Sequence, residues 1–489
     1  MLRVEPKQTS FHTSLYNKIP ENHILKTVEQ AVDFSFINEL LAKTYSHKMG
    51  RPAKEPELMC KLLFLQHLYN LSDVRVIEDG NLNLAYMYFL HLNPEEKLPN
   101  KSLLSIFRCH RLEDTTLDDI ITEIVRQCVE QKIIECGTIS IDATHVAANT
   151  FNNTAERLMK KIAKKVIKSH QKIDEDYESQ YEVPDYEIIE DHKEAKQVMK
   201  TYLDNVIEEM EYAAIPMAQE TEDIITQAKD IVSDPKFIVQ KGARSIIDED
   251  ARVGRKSKTD RFYGYKTEFM MTTDENIITA VCTENGAYTD GSNTNILLKN
   301  TLASGLEVKE VYGDKAYFRK PILDEIDEAN AKAYIPVSGV VYRMDETRFS
   351  YNKDADEWSC HLGNTASEKK HYNNKQYGKP RQGYRYYFPK EQCQNCPELK
   401  TCAGKTMKRK ILNLGLNTAE FYEISQAQKE PGWIEKYHKR ASIESKNAEL
   451  KRFHGLNRAR GYSLRSVSTQ AKLAVIAVNI KTIGRLVAK

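Results

Sequence analysis

The chain has no apolar stretch approaching the ~18 residues that a membrane-spanning helix needs. The longest late run, Ala474 to Ile480, is interrupted by Asn479. The first residues, Met1-Leu2-Arg3-Val4-Glu5-Pro6-Lys7, lack the apolar core of a secretory signal. Both absences argue against membrane-embedded and secreted classes and lead to the expectation of a cytoplasmic protein with no membrane partner. No charge of one sign dominates, with 71 basic and 70 acidic residues. No internal repeat is visible. The nine cysteines are odd in number, which argues against a disulfide framework. Cys60, Cys109, Cys128, Cys136 and Cys282 are scattered and read as small hydrophobes.

What is present fits a large soluble chain. Its 489 residues, 41 % hydrophobic and 29 % charged, suggest roughly three structural units, each with a real core. The charge is unevenly spread. Residues 171–235 hold 5 Lys/Arg against 19 Asp/Glu, whereas residues 426–489 hold 14 against 4. The first segment repels a polyanion and the second attracts one.

Residues 1–30 read as an N-terminal arm and residues 31–132 as helical. Leu58, Met59, Leu62, Leu63, Leu65 and Leu68 recur at helical spacing, Ser72 and Ser102 are N-cap candidates, and a basic stretch follows at Arg108-Cys109-His110-Arg111. Short helices joined by short turns suit a helix-turn-helix-like DNA-binding domain; they suit a plain helical bundle equally well.

From Thr138 the period changes to that of strands. Strands are expected at 138–144, 262–272, 277–283, 308–313 and 331–337, with helices after Ser292, over 319–329 and over 433–452. Residues 152–240 form an acidic helical insertion with a basic start. Residues 338–425 read as an irregular, Tyr- and Lys-rich, Cys-bearing insertion. Without the insertions, three strands that can form an antiparallel meander precede two that can add in parallel. The predicted fold class is α/β: a ribonuclease H-like mixed-sheet core over 133–337, completed by residues 426–489 with a Glu-bearing helix and basic C-terminal helices.

Acidic residues stand where such a core would use them. Asp142 interrupts the apolar strand Ile139-Ser140-Ile141, a costly placement unless the carboxylate emerges at a strand end or binds something. Asp314 follows Val311-Tyr312-Gly313. Each alone could simply cap a turn. On a continuous helix, Tyr437, Arg440, Glu444 and Lys451 would share a face about 60° wide, where a solvated Arg440–Glu444 pair is the plainer explanation.

Tyr437-x2-Arg440-x3-Glu444-x6-Lys451 resembles the Y-(2)-R-(3)-E-(6)-K signature of DDE transposases of bacterial insertion sequences. Ile141-Asp142-Ala143-Thr144 and Tyr312-Gly313-Asp314-Lys315-Ala316-Tyr317 look like that family's two Asp motifs. Gly50-Arg51-Pro52, Asp250-Ala251-Arg252 and Gly264-Tyr265-Lys266 agree, and the chain is most similar to the 1182-type insertion-sequence group. The resemblance implies a catalytic triad of Asp142, Asp314 and Glu444. These would hold two Mg²⁺ ions, with Mn²⁺ able to substitute, for DNA strand cleavage and strand transfer. It also implies DNA contacts by Tyr437, Arg440 and Lys451. The basic tail, with Arg452, Arg458 and Arg460, would follow the duplex backbone. The implied partner is double-stranded DNA, at the element's terminal repeats and at the target, met by a nucleoid-associated homodimer that pairs two ends. The acidic insertion departs from the simplest family members.

Cys393-x2-Cys396-x5-Cys402, with Cys360 upstream, suits tetrahedral structural Zn²⁺ and equally suits a reduced loop with free thiols. Other classes remain open from the residues alone: a ribonuclease H-like DNA nuclease, a catalytically silent DNA-binding relative, or a zinc-dependent DNA-binding regulator.

Overall fold

The computed structural model describes residues 10–46, 53–112, 115–135, 137–150, 153–212, 216–233, 237, 245, 247–256, 259–376 and 379–488. Gly50-Arg51-Pro52 and Cys136 lie outside the described residues. Seven helices come first: α1 (Ile24–Ala31), α2 (Phe36–Ala42), α3 (Pro56–Leu68), α4 (Asp73–Gly80), α5 (Leu84–Phe89), α6 (Ser102–His110) and α7 (Thr116–Glu130). Strand β1 (Thr138–Ala147) follows, then α8 (Ala155–His170), α9 (His192–Glu211) and α10 (Gln219–Ser233). Next come β2 (Arg252–Arg255), β3 (Arg261–Thr272), β4 (Ile278–Asn285), α11 (Thr294–Ala303), β5 (Glu310–Tyr312), α12 (Lys320–Glu328) and β6 (Lys332–Tyr334). The remainder holds β7 (Phe349–Asn352), β8 (Glu357–Cys360), β9 (Glu368–Gln376), β10 (Lys379–Tyr387), α13 (Lys390–Gln394), α14 (Leu399–Cys402), β11 (Ile411–Gly415), α15 (Thr418–Ala427), α16 (Trp433–Tyr437), α17 (Ala441–Phe453) and α18 (Leu464–Val487). The architecture is mixed α/β. No helix among the described residues is long and apolar enough to cross a membrane.

The chain divides into two compact units. One comprises Met1–Gly137, Ile141–Glu307 and Ser442–Lys489; the other comprises Thr138–Ser140 and Val308–Ala441. Strand β1 contributes its first three residues to the second unit and the rest to the first.

In the first unit β3 pairs antiparallel with β2 and then with β4, and its other edge adjoins β1. Gly264 (φ 152°) is required at the close approach of β3 to β1, where a Cβ would collide with the Val146 carbonyl. Helix α18 is the spine of this unit. It is buried from Val467 to Gly484 and packs on α1, α3, α7, β3 and β4. Asn479, the polar break in its apolar run, accepts from Ile278 N at 2.9 Å and donates to Ile278 O at 2.7 Å. It thus satisfies the backbone where β4 begins. The N-terminus of α18 is held by acidic groups, with Leu464 N donating to Asp250 Oδ2 at 2.7 Å and Ser463 N to Asp248 Oδ1 at 3.2 Å. That gives the Asp250-Ala251-Arg252 stretch a capping role at the helix's positive end.

Helix α18, in the stretch expected to hold basic C-terminal helices, carries Arg465, Lys472, Lys481 and Arg485 and no acidic residue, yet much of it is core, and its Lys472 and Lys481 are paired with Asp118 and Glu449, each at 2.6 Å. The described part of the 1–30 stretch, expected as an N-terminal arm, packs within the first unit. It contains α1, whose amphipathic face packs on α18, with Thr27 Oγ1 donating to Gly484 O at 3.0 Å. Helices α1, α3 and α7 all pack on α18. In the 152–240 segment, α8, α9 and α10 enclose a core of their own around Met159, Ile162, Met199, Leu203 and Ile225.

In the second unit the first residues of β1 pair in parallel with β5, which pairs in parallel with β6. The 338–425 segment, expected to be irregular, contains the β7–β8 hairpin and an antiparallel β9–β10–β11 sheet. Its strands are stabilised by stacking that leaves no apolar alternation in the sequence. Lys369 Nζ lies 4.2 Å from the Tyr384 ring centre and the Arg409 guanidinium 4.5 Å from that of Tyr387. Trp358 is fully buried between Tyr351 and Tyr422.

Candidate active site

Within the first unit, strand β1 and helix α17 meet through side chains. Asn447 Nδ2 donates to Asp142 Oδ2 at 2.9 Å. One turn further, Lys451 Nζ lies 3.2 Å from His145 Nδ1. Asp142 and His145 are three residues apart on β1. Glu444, Asn447 and Lys451 recur at i, i+3 and i+7, which places them on one face of α17. Two of those three side chains therefore touch β1, and Glu444 stands one turn before them. The chain leaving α17 returns to the same strand: Ala147 N donates to Asn457 O at 3.1 Å and Ala459 N to Ala147 O at 2.8 Å.

The electrostatics of this contact follow from burial. His145 is pushed down to about 4 by burial and by Lys451, so at neutral pH it is an uncharged acceptor for the lysine. Lys451 is lowered to about 8, by burial first and Lys256 second. The His145 ring also packs on Phe262, with centres 5.1 Å apart. Asn447 Oδ1 is buried with no hydrogen-bond partner. Neither Asn447 nor His145 was singled out from the sequence. The available signal was spacing: each lies three residues after a carboxylate, Glu444 and Asp142 respectively, on the same face of its helix or at a nearby position on its strand.

In the second unit, Asp314 leaves the end of β5, and its Oδ1 accepts from Ala316 N at 2.7 Å. The turn-capping role is thus real for one oxygen, and it fixes the orientation of the carboxylate. The expected single helix over 433–452 is not observed. Helix α16 ends at Tyr437, and His438–Arg440 is a 3₁₀ turn before α17 begins. Tyr437 stacks on Trp433, ring centres 5.2 Å apart and 13° from parallel, and Lys436 pairs with Glu310 at 3.1 Å.

In the basic tail, Arg452 and Arg458 are exposed. Arg460 reaches back to the turn between α3 and α4, donating to Asn70 and, at 3.3 Å, to Leu71 O.

Among the cysteines, Cys393 is buried on α13, and Cys360, Cys396 and Cys402 are half-buried, all as free thiols. Burial raises the Cys402 thiol, and Cys360 and Cys393 add to the effect against Lys410 and Arg348, so these three sulfurs are electrostatic neighbours. Among the described residues no group of three or more His, Cys, Asp or Glu side chains is disposed to hold a metal ion. In the first unit, the donor chemistry of Asp142 and Glu444, with the buried oxygen of Asn447 beside them, suits a hard cation that binds through oxygen.

Two family models match. A transposase domain (DUF772) matches residues 13–110, which covers most of the N-terminal helices. No curated protein and no solved structure matches. The Transposase DDE domain matches residues 227–480, more than half of the chain, and on that ground the chain belongs to the transposase DDE domain family.

Proposed function

We propose that this transposase cuts DNA strands at the ends of an insertion sequence of the 1182-type group and joins the freed 3′-hydroxyl ends to target DNA. The observation that carries this reading is the contact of α17 with β1, where Asn447 holds Asp142 on the helix face that also bears Glu444. The match of residues 227–480 to the Transposase DDE domain supports it. A homodimer pairing two ends on nucleoid DNA in the cytoplasm completes the reading.

In this proposal Asp142, Asp314 and Glu444 hold two Mg²⁺ ions, or Mn²⁺ in their place. When bound, these supply activation of the attacking oxygen and stabilisation of the leaving one. The remaining work belongs to the chain. Asn447 fixes the orientation of the Asp142 carboxylate. Neutral His145 accepts a hydrogen bond from Lys451 and so fixes the ammonium without competing for anions. Lys451 then offers a point charge to a phosphate near the scissile bond, and Arg440 a planar two-pronged donor. Tyr437 adds a contact to the strand end. Arg452, Arg458 and Arg460 follow the duplex. Cys360, Cys393, Cys396 and Cys402 are proposed to close on one structural Zn²⁺.

The test is direct. Asp142→Asn, Asp314→Asn and Glu444→Gln should each abolish Mg²⁺-dependent cleavage of end DNA while binding in gel-shift assays persists. Near-normal cleavage by any one variant removes that residue from the site.

A further inference from the structure

A cavity of about 790 Å³ opens in the first unit between the α3–α4 turn, α6 and the start of α18. Its size lies within the range of about 300–1,000 Å³ for small-ligand sites. Three arginines line it: Arg108, Arg460 and Arg465. One acid, Asp73, opposes them, paired with Arg108 at 2.5 Å. Ser463 and Ser466, at the capped start of the 24-residue helix α18, add hydroxyls to the wall. Beside these groups lies an aromatic one: Tyr462, 46 % exposed, lines the cavity with the apolar Leu71 and Leu473.

His67 lines the cavity and is 3 % exposed. Burial, Arg460 and Arg108 hold its ring in the neutral form, so it does not compete for an anion.

We propose that this cavity is a nucleotide site: it takes one nucleoside phosphate unit, with the phosphate on Arg465 and Arg460 and the base on Tyr462 beside His67. Cations with an aromatic platform are the combination that binds single nucleotides of a strand, the charges meeting the backbone and the ring stacking on the base. The ligand chemistry follows from the cavity alone. Its source is either a free nucleotide or one residue splayed from a DNA strand, and the second rests on the transposase reading.

Cys109 also lines the cavity, and its thiol is exposed, so it reports occupancy without a label. The full chain, free of divalent metal, is alkylated with iodoacetamide, and the Cys109 peptide is followed by mass spectrometry. Adenosine 5′-monophosphate, a short single-stranded oligodeoxynucleotide and inorganic phosphate are titrated separately. The expected result is saturable protection of Cys109 by the nucleotide or by the strand. Protection by the nucleotide identifies a free-nucleotide source; protection by the strand alone identifies a residue of DNA. Tyr462→Ala and Arg465→Gln should each weaken protection about tenfold, and Ser105→Phe, which fills the cavity from an exposed position on α6, should abolish binding of a fluorescent strand at this site. The proposal is overturned if neither ligand protects, if inorganic phosphate protects as well as the nucleotide, or if all three variants, with unchanged Tm, bind as the parent does. Asp142→Asn should bind the nucleotide normally, so failure of the cleavage chemistry is read separately from failure of this site.

Discussion

Lys451 is the side chain whose behaviour separates a working site from a solvated helix face. Its pKa is about 8 in the folded chain, against an ordinary value of about 10.4. A lowered lysine pKa means that folding disfavours the charged form. Below about pH 8 both folded and unfolded chains carry the proton, and the penalty is fully present. Between about 8 and 10.4 the folded chain releases it first, so stability rises with pH across that window. Lys451→Met should therefore raise Tm at neutral pH, with the gain fading above about pH 10; a gain that does not change with pH would contradict the assignment. A bound phosphate reverses the sign. It favours the ammonium, so affinity for end DNA should fall as pH rises above 8, by at most about tenfold per unit. Lys451→Arg should remove that fall, and Lys451→Ala should lower the salt slope of log K by about one.

Lys61 makes a different point at the same scale. It is 1 % exposed and sits 2.8 Å from both Glu29 and Glu57, with its ammonium 5.0 Å from the Phe89 ring centre. Removing it leaves two carboxylates in a largely buried setting. Lys61→Ala should cost about 3–5 kcal/mol in denaturant unfolding; a loss below about 1 kcal/mol would show that water already reaches the pair.

At the scale of elements, how much could be read from the sequence depended on what stabilises each one. Strands β3 and β4 fall where alternation and β-branched residues placed them, and α3 where its leucines recur, because burial drives all three. Asp314 follows the end of β5, whereas Asp142 lies within β1, which runs on to Ala147 beyond the expected end at 144. The 338–425 sheets were not legible, since their Tyr, Lys and Arg side chains stabilise each other by stacking in a stretch with no apolar period. The break at His438–Arg440 was missed because no proline or glycine marks it. The burial of α18 was not legible in its charge count, which ignores where the lysines point; Lys472 and Lys481 point at acids. Asn447 and His145 were overlooked because neither is a charged or metal-binding outlier in its local sequence.

The two inserted elements make separable predictions. Among the described residues, the buried cluster of α8–α10 is drawn from residues 155–237. Leu203→Ala, at a position with 0 % exposure, should cost about 2–5 kcal/mol. The cost should appear as faster hydrogen exchange across α8–α10 while Val467–Gly484 of α18 is unchanged. Faster exchange in α18 as well would show that the insertion and the main core unfold together. In the Cys-bearing segment, elemental analysis of protein purified without added metal should find one zinc per chain. A zinc content near zero with Cys360, Cys393, Cys396 and Cys402 all freely titratable would remove the zinc proposal and leave the sheets to stand on their stacking alone.

For the whole molecule, the central claim is that one site both cuts and joins DNA. Cutting alone is shared with a nuclease, and binding alone with a silent relative, so joining is the discriminating step. The most direct measurement supplies the full-length protein with Mg²⁺, a duplex ending in a pre-cleaved element terminus with a free 3′-hydroxyl, and a supercoiled target plasmid. The account predicts covalent joining of the labelled strand to the plasmid, with none detectable for Asp142→Asn, Asp314→Asn or Glu444→Gln, each of which still retards the duplex in a gel. Plasmid nicking without joined product, or joining that survives any one of the three substitutions, would contradict it.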